Sequence, residues 1–134
     1  MADAGFTIER LKKRAEFLAC AKAPSCARGA VVVQARARDD KPVVRAGFTA
    51  TKRIGGAVER NRAKRRMREA ARLLLPQFAR SGFDYVFIAR GGAIGRPWER
   101  LLDDVKSALI RLAAERDSRA PEVLPSAASS SKDD

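Results

Sequence analysis

Residues 60–72 read RNRAKRRMREAAR, and seven of these thirteen residues are Arg or Lys. The work such a stretch suits is binding a polyanion. A guanidinium is a planar fork that takes two phosphate oxygens at once and can stack on a base. Arg outnumbers Lys five to one between Arg62 and Arg72. From Lys52 to Arg72 there are nine bases against two acids, Glu59 and Glu69, in a chain whose formal net charge is +12. Nucleic acid is the leading partner for that surplus, ahead of a membrane surface or an acidic protein.

Residue types for covalent or metal chemistry are sparse. Histidine is absent, which removes the commonest general base, the Ser-His and Cys-His nucleophile pairs and the usual zinc sites. Cys20 and Cys26 are six apart, not a metal-ligand spacing, and read as free thiols of a reducing compartment, with a disulfide between them as the alternative. A nuclease acting through Asp84, Asp103 and Asp104 is a rival, weakened because neighbouring residues on a helix diverge. A free-standing RNA- or DNA-binding protein is a second rival. It would share the salt-dependent phosphate contacts without needing a substrate cleft.

The elements that must position the basic stretch follow from periodicity. A helix is expected over roughly 58–79, with Pro76 limiting its last turn. On a wheel of 100° per residue, Ala63, Met67, Ala70, Ala71, Leu74 and Phe78 form one face. Asn61, Lys64, Arg65, Arg68 and Arg72 form another, and Arg62, Arg66 and Glu69 a third. An ordinary solvated helix mixes signs at spacings of three and four; here one whole face is cationic. Lys52 and Arg53 extend that surface, Gly55 and Gly56 make the turn, and the helix N-terminus offers free N–H groups to phosphate. Asn61 suits a base edge, a 2′-hydroxyl or the turn behind it.

Around this helix the chain reads α-β-β-α-β-α, an α+β domain. A first helix is expected from Ile8 to Lys22, and strands over 29–38, over VVRAGFTATK and over the apolar run SGFDYVFIARGG. Val44, Ala46, Phe48 and Ala50 alternate with Arg45, Gly47, Thr49 and Thr51. A final helix starts at Trp98, a packing residue, with Leu101, Leu102, Val105, Leu109 and Leu112 as its stripe. Residues 1–7 are expected to be flexible, 8–116 to form one domain and 117–134, rich in Ser, Ala and Pro, to be a disordered tail. No apolar run approaches a signal-peptide core or a membrane span, so a cytoplasmic protein is expected.

Residues 45–72, RAGFTATKRIGGAVERNRAKRRMREAAR, resemble the signature of the bacterial ribonuclease P protein subunit. The family's R-x-G motif matches Arg45 and Gly47. Its K-[KR]-x-G-x-A-V turn matches Lys52, Arg53, Gly55, Ala57 and Val58. Its R-N-R-x-K-R-x-x-R-E helix matches Arg60, Asn61, Arg62, Lys64, Arg65, Arg68 and Glu69. RLKKRAEF and DYVFIARGGA extend the likeness to about residues 8–116.

The resemblance implies a compact α/β sandwich, similar to the second domain of a small-subunit ribosomal protein. It also implies a left-handed β-α-β crossover, which sequence physics would not suggest since about 98% of such crossovers are right-handed. It implies assembly with a catalytic RNA subunit that removes the 5′ leader of precursor tRNA using Mg2+ held mainly by the RNA, with no further protein partner required. Lys52, Arg53, Arg60, Asn61, Arg62, Lys64, Arg65, Arg68 and Arg72 would bind the RNA subunit. A cleft between the first helix and the sheet, at Phe17, Val33, Arg45 and Phe48, would hold the leader. Phe17 and Phe48 suit a core as well as a cleft. Ala21 and Val33 stand where the family often has aromatics, so leader binding here would lean on phosphate contacts more than on stacking.

Overall fold

A computed structural model describes residues 5–119. The order is β1 (Thr7–Arg10), α1 (Arg14–Ala21), β2 (Ser25–Arg28), β3 (Val31–Ala37), β4 (Val43–Ala50), a single 3-10 turn (Lys52–Ile54), α2 (Ala57–Phe78), β5 (Phe83–Ala89) and α3 (Trp98–Arg119). The five strands form one sheet in the order β1-β4-β5-β3-β2. β4 is parallel to both β1 and β5, and β3 is antiparallel to β5 and β2.

Two strands depart from the expected order. Thr7–Arg10 is an edge strand rather than leader or helix, so the first helix starts at Arg14 instead of Ile8. Ser25–Arg28, expected as a loop, pairs with β3. Both are four-residue edge strands: β1 is held by pairing with the distant β4, which local propensity does not report, and β2 by a hairpin with β3 across Gly29 and Ala30. α3 continues to Arg119, into the span expected as tail; positions 120–134, and 1–4 of the expected N-terminal arm, lie outside the described residues.

The two long helices, α2 in the crossover from β4 to β5 and α3 after β5, cover one sheet face. Ala63, Met67, Ala70, Ala71, Leu74 and Leu75 of α2 meet Leu101, Val105, Ala108, Leu109 and Leu112 of α3. Beneath them lie Val31, Val33, Ala35, Val44, Ala46, Tyr85, Phe87 and Ala89. Three alanines on the inner face of α2 let it approach the sheet closely. Pro76 lies in the last turn on the exposed side, and the helix ends two residues later. The opposite sheet face carries only α1, with a small cluster of Leu11, Cys20 and Val86 flanked by Phe17 and Ile88. Most of that second face is only half-buried.

Two loops are tied by side chains. Arg66 donates from Nη1 to the carbonyls of Ala93, Ile94 and Arg96 at 2.7, 2.8 and 2.7 Å, and its guanidinium lies 5.6 Å from the Trp98 ring centroid. Asp104 accepts from Arg96 at 2.6 and 3.0 Å and from the Ala30 N–H at 3.2 Å. Gly29 makes this approach possible: at φ +52 a Cβ there would lie 2.3 Å from the Asp104 carboxylate.

Cys20 and Cys26 are buried free thiols in different clusters on opposite faces. Burial, and then the charge of Asp84, push the Cys20 thiol from 9.0 up to about 11. Burial pushes the Tyr85 phenol from 10.0 up to about 12, while its oxygen accepts the Arg80 N–H at 2.9 Å. In both cases the folded value exceeds the unfolded one. Their contribution to stability is therefore fully present below the unfolded values and is lost as pH rises through the folded ones. The expected urea midpoint is level up to about pH 9 and falls between there and about pH 12. Cys20→Ala should flatten the first part of that fall, as measured by urea titrations across this range.

Candidate nucleic-acid interface

The basic helix begins at Gly56, whose N–H donates to Glu59 Oε1 at 3.1 Å. One of the two acids of the stretch is thereby used as a cap. Arg60 folds back and donates to the Gly55 carbonyl at 2.7 Å, so it holds the turn that joins Lys52 and Arg53 to the helix. The other acid, Glu69, pairs with Arg72 at 3.0 Å, both side chains being more than half exposed. Such a pair stabilises by only a few tenths of a kcal/mol.

Lys52, Arg53, Arg62, Lys64, Arg65 and Arg68 have no carboxylate partner among the described residues. All but Lys64 are exposed, and Lys64 is half-buried. Asn61 is exposed and its side chain makes no hydrogen bond among the described residues. It stands five residues inside the cap, so the local capping role does not arise. Arg66, though part of the same run, points inward to the 93–96 carbonyls and is a staple rather than part of the cationic surface. Six unpaired cations gathered along one helix and the turn before it repel one another, and a polyanion relieves that repulsion.

The second candidate region is the sheet face beneath α1. Pairing sets three rows across β4, β5 and β3: Arg45, Asp84 and Arg36; then Gly47, Val86 and Gln34; then Thr49, Ile88 and Val32. The ring of Phe17 packs over Gly47, where a Cβ would lie 2.6 Å from the ring. Thr49, Ile88, Val32 and Gln34 are half-buried, leaving an open floor beside α1.

The four residues expected in this cleft do not come together. Phe17 and Arg45 are on the α1 face. Val33 and Phe48 are on the other: Val33 is fully buried beneath α2 and α3, and Phe48 stacks on Phe87 with centroids 5.4 Å apart. Strand parity puts Val32 and Gln34, not Val33, on the floor.

Arg45 is drawn inward. Its Nε and Nη2 donate to the two oxygens of Asp84, both at 3.0 Å, and its Nη1 donates to Glu16 at 2.6 Å. Hydrogen bonding to Asp84 is the largest cause that raises the Arg45 pKa above the ordinary arginine value. Asp84 is fully buried and also accepts from Arg36 and Arg38.

The carboxylates of the nuclease rival are likewise dispersed. Asp84 is on the α1 face, Asp104 is held by Arg96 on the other, and Asp103 is exposed. No group of three His, Cys, Asp or Glu able to hold a metal ion occurs among the described residues.

These two surfaces, a cationic helix and a half-buried sheet face beside α1 on the other side of the sheet, sit in a chain that the family model described as Ribonuclease P matches over residues 7–113. The chain belongs to the ribonuclease P protein family. It is 68% identical over 120 residues to the ribonuclease P protein component of Caulobacter vibrioides, covering 87% of this chain and 80% of that one. The corresponding protein of Ruegeria pomeroyi is 48% identical over 118 residues, covering 86% and 93%. Among solved structures, the RNase P protein of Staphylococcus aureus superposes with a TM-score of 0.63 at 28% identity, covering 78% of this chain and 94% of that one. That of Thermotoga maritima gives 0.64 at 28% identity, covering 76% and 96%. Family membership makes the chain the protein component of a tRNA-processing ribonucleoprotein, with an RNA subunit as its partner. No described helix is long and apolar enough to cross a membrane.

Proposed function

We propose that the chain docks on the catalytic RNA of ribonuclease P through α2 and the turn before it, and holds the 5′ leader of precursor tRNA in the cleft beneath α1. In this reading the RNA performs the endonucleolytic hydrolysis and the protein binds and orients. The observation that carries it is the separation of six unpaired cations on α2 and its turn from a half-open cleft on the opposite sheet face. One surface can engage the RNA subunit while the other remains available to substrate. The magnesium of the reaction is assigned to the RNA. Among the described residues, the two buried carboxylates, Asp84 and Asp104, are both committed to arginines. The assembly is placed in the cytoplasm, with no second protein required.

Within the cleft, Phe17 is the residue that can stack on a leader base, and such a contact contributes about 1–3 kcal/mol. Phe17→Ala should therefore weaken precursor tRNA by roughly fivefold or more while leaving mature tRNA unchanged. Equilibrium binding of both tRNAs to the reconstituted complex measures this. Equal losses for the two would contradict the cleft assignment.

A further inference from the structure

Glu16 and Phe17 are neighbours on α1, and Arg45 and Gly47 are same-face neighbours on β4. The two segments are clasped pairwise. Arg45 Nη1 donates to Glu16 Oε2 at 2.6 Å, and the Phe17 ring fills the space that a side chain at Gly47 would take. Arg45 itself cannot swing, because two further N–H groups bind both oxygens of the fully buried Asp84. Glu16 is fixed at its other end as well, since Oε1 accepts the Lys13 N–H at the start of α1. A continuous chain of charge-assisted bonds thus runs from the helix to the strand next to the sheet's centre. It lies one row behind Phe17, while the row ahead of Phe17, Thr49, Ile88 and Val32, is the open floor.

We propose that Glu16, Arg45 and Asp84 are positioning residues that hold the Phe17 ring ready at the cleft wall for a leader base. This rests on the reading that the leader lies in that cleft. Three N–H groups of Arg45 are committed to carboxylates of its own chain, so Arg45 acts through Phe17 rather than as a phosphate ligand. The R-x-G pair on β4 has one physical purpose: the Arg fixes the helix and the Gly makes room for the ring. A ring held in place before binding loses no rotational freedom when a base stacks on it.

The test is a double-mutant cycle in the reconstituted holoenzyme, reading the ratio of precursor to mature tRNA affinity. Glu16→Gln keeps the side chain's shape and its cap, and Glu16 is only partly buried, so the variant is expected to fold. Alone it should lower the ratio by part of the roughly fivefold or greater loss of Phe17→Ala, with RNA-subunit affinity and mature tRNA binding unchanged. In a Phe17→Ala background it should have no further effect. Gly47→Ala, which displaces the ring without touching the ion pairs, should lower the ratio in the same way. Equal losses from Glu16→Gln in both backgrounds, or equal losses for both tRNAs, would show a merely structural role and overturn the proposal. If Phe17→Ala itself leaves the ratio unchanged, the cleft reading fails and the proposal falls with it.

Discussion

Replacing Arg65 and Arg68 together by alanine is expected to weaken assembly with the RNA subunit by roughly 100-fold at low salt, with the fold intact. Both side chains are exposed on the cationic face of α2 and have no carboxylate partner among the described residues. Nothing in the protein is therefore left unsatisfied by their removal. Each hydrogen bond to a charged group contributes about 1.5–3 kcal/mol, so even at the low end two contacts give a loss of that size. The salt dependence is the more diagnostic quantity. Each lost phosphate contact lowers the slope of log affinity against log salt by about 1, so the double variant should be flatter by about 2. Arg66→Ala provides the contrast. Its guanidinium binds three carbonyls of the 93–96 loop, so that variant should lose thermal stability and keep the salt slope. Filter binding across a salt series, beside thermal melts of the free proteins, separates the two outcomes. An unchanged slope for the double variant would remove α2 from the RNA interface.

Asp84→Leu should destabilise the fold by about 3–5 kcal/mol, since losing one partner of a buried ion network strands the other. Asp84 is fully buried and holds Arg45 bidentately, with Arg38 and Arg36 on the same carboxylate. Without it, three guanidiniums converge on an apolar side chain. A domain of this kind is stable by only about 5–15 kcal/mol, so the loss is a large share. Arg36→Ala should be mild by comparison, because the Arg36 side chain is 35% exposed and solvent screens its single contact. Urea titration is the check: the midpoint should drop sharply for Asp84→Leu and slightly for Arg36→Ala, with the m-value unchanged in both. Comparable small shifts would mean that the network contributes little.

The basic helix was legible because twenty-two residues carry one strong period, and its core face follows the expected wheel. The unpaired cations followed from the shortage of acids. Misplacement of Val33 and Phe48 has a simpler cause. In β4, Phe48 alternates with Arg45 and Gly47, so period two already puts them on opposite faces. In β3 the run of three valines hides the phase, and only Gln34 and Arg36 reveal which side faces solvent. The roles of Asp84 and Arg66 were missed. A lone acid inside the apolar run FDYVFIA needs buried partners, and the alternating Arg36 and Arg38 with Arg45 were candidates. Nothing local marks Arg66, whose partners lie about thirty residues away. β1 was hidden for the same reason, its partner β4 lying far along the chain, whereas β2 is a local hairpin arm whose short SCAR run carries no clear apolar alternation.

The most direct test is cleavage of precursor tRNA by the cognate RNA subunit at low magnesium, with and without this protein. The expected result is little cleavage by the RNA alone, restoration by the wild-type protein and weak restoration by the Arg65→Ala, Arg68→Ala variant. Cleavage that is equally poor with and without the wild-type protein would contradict its role as the subunit that promotes leader removal.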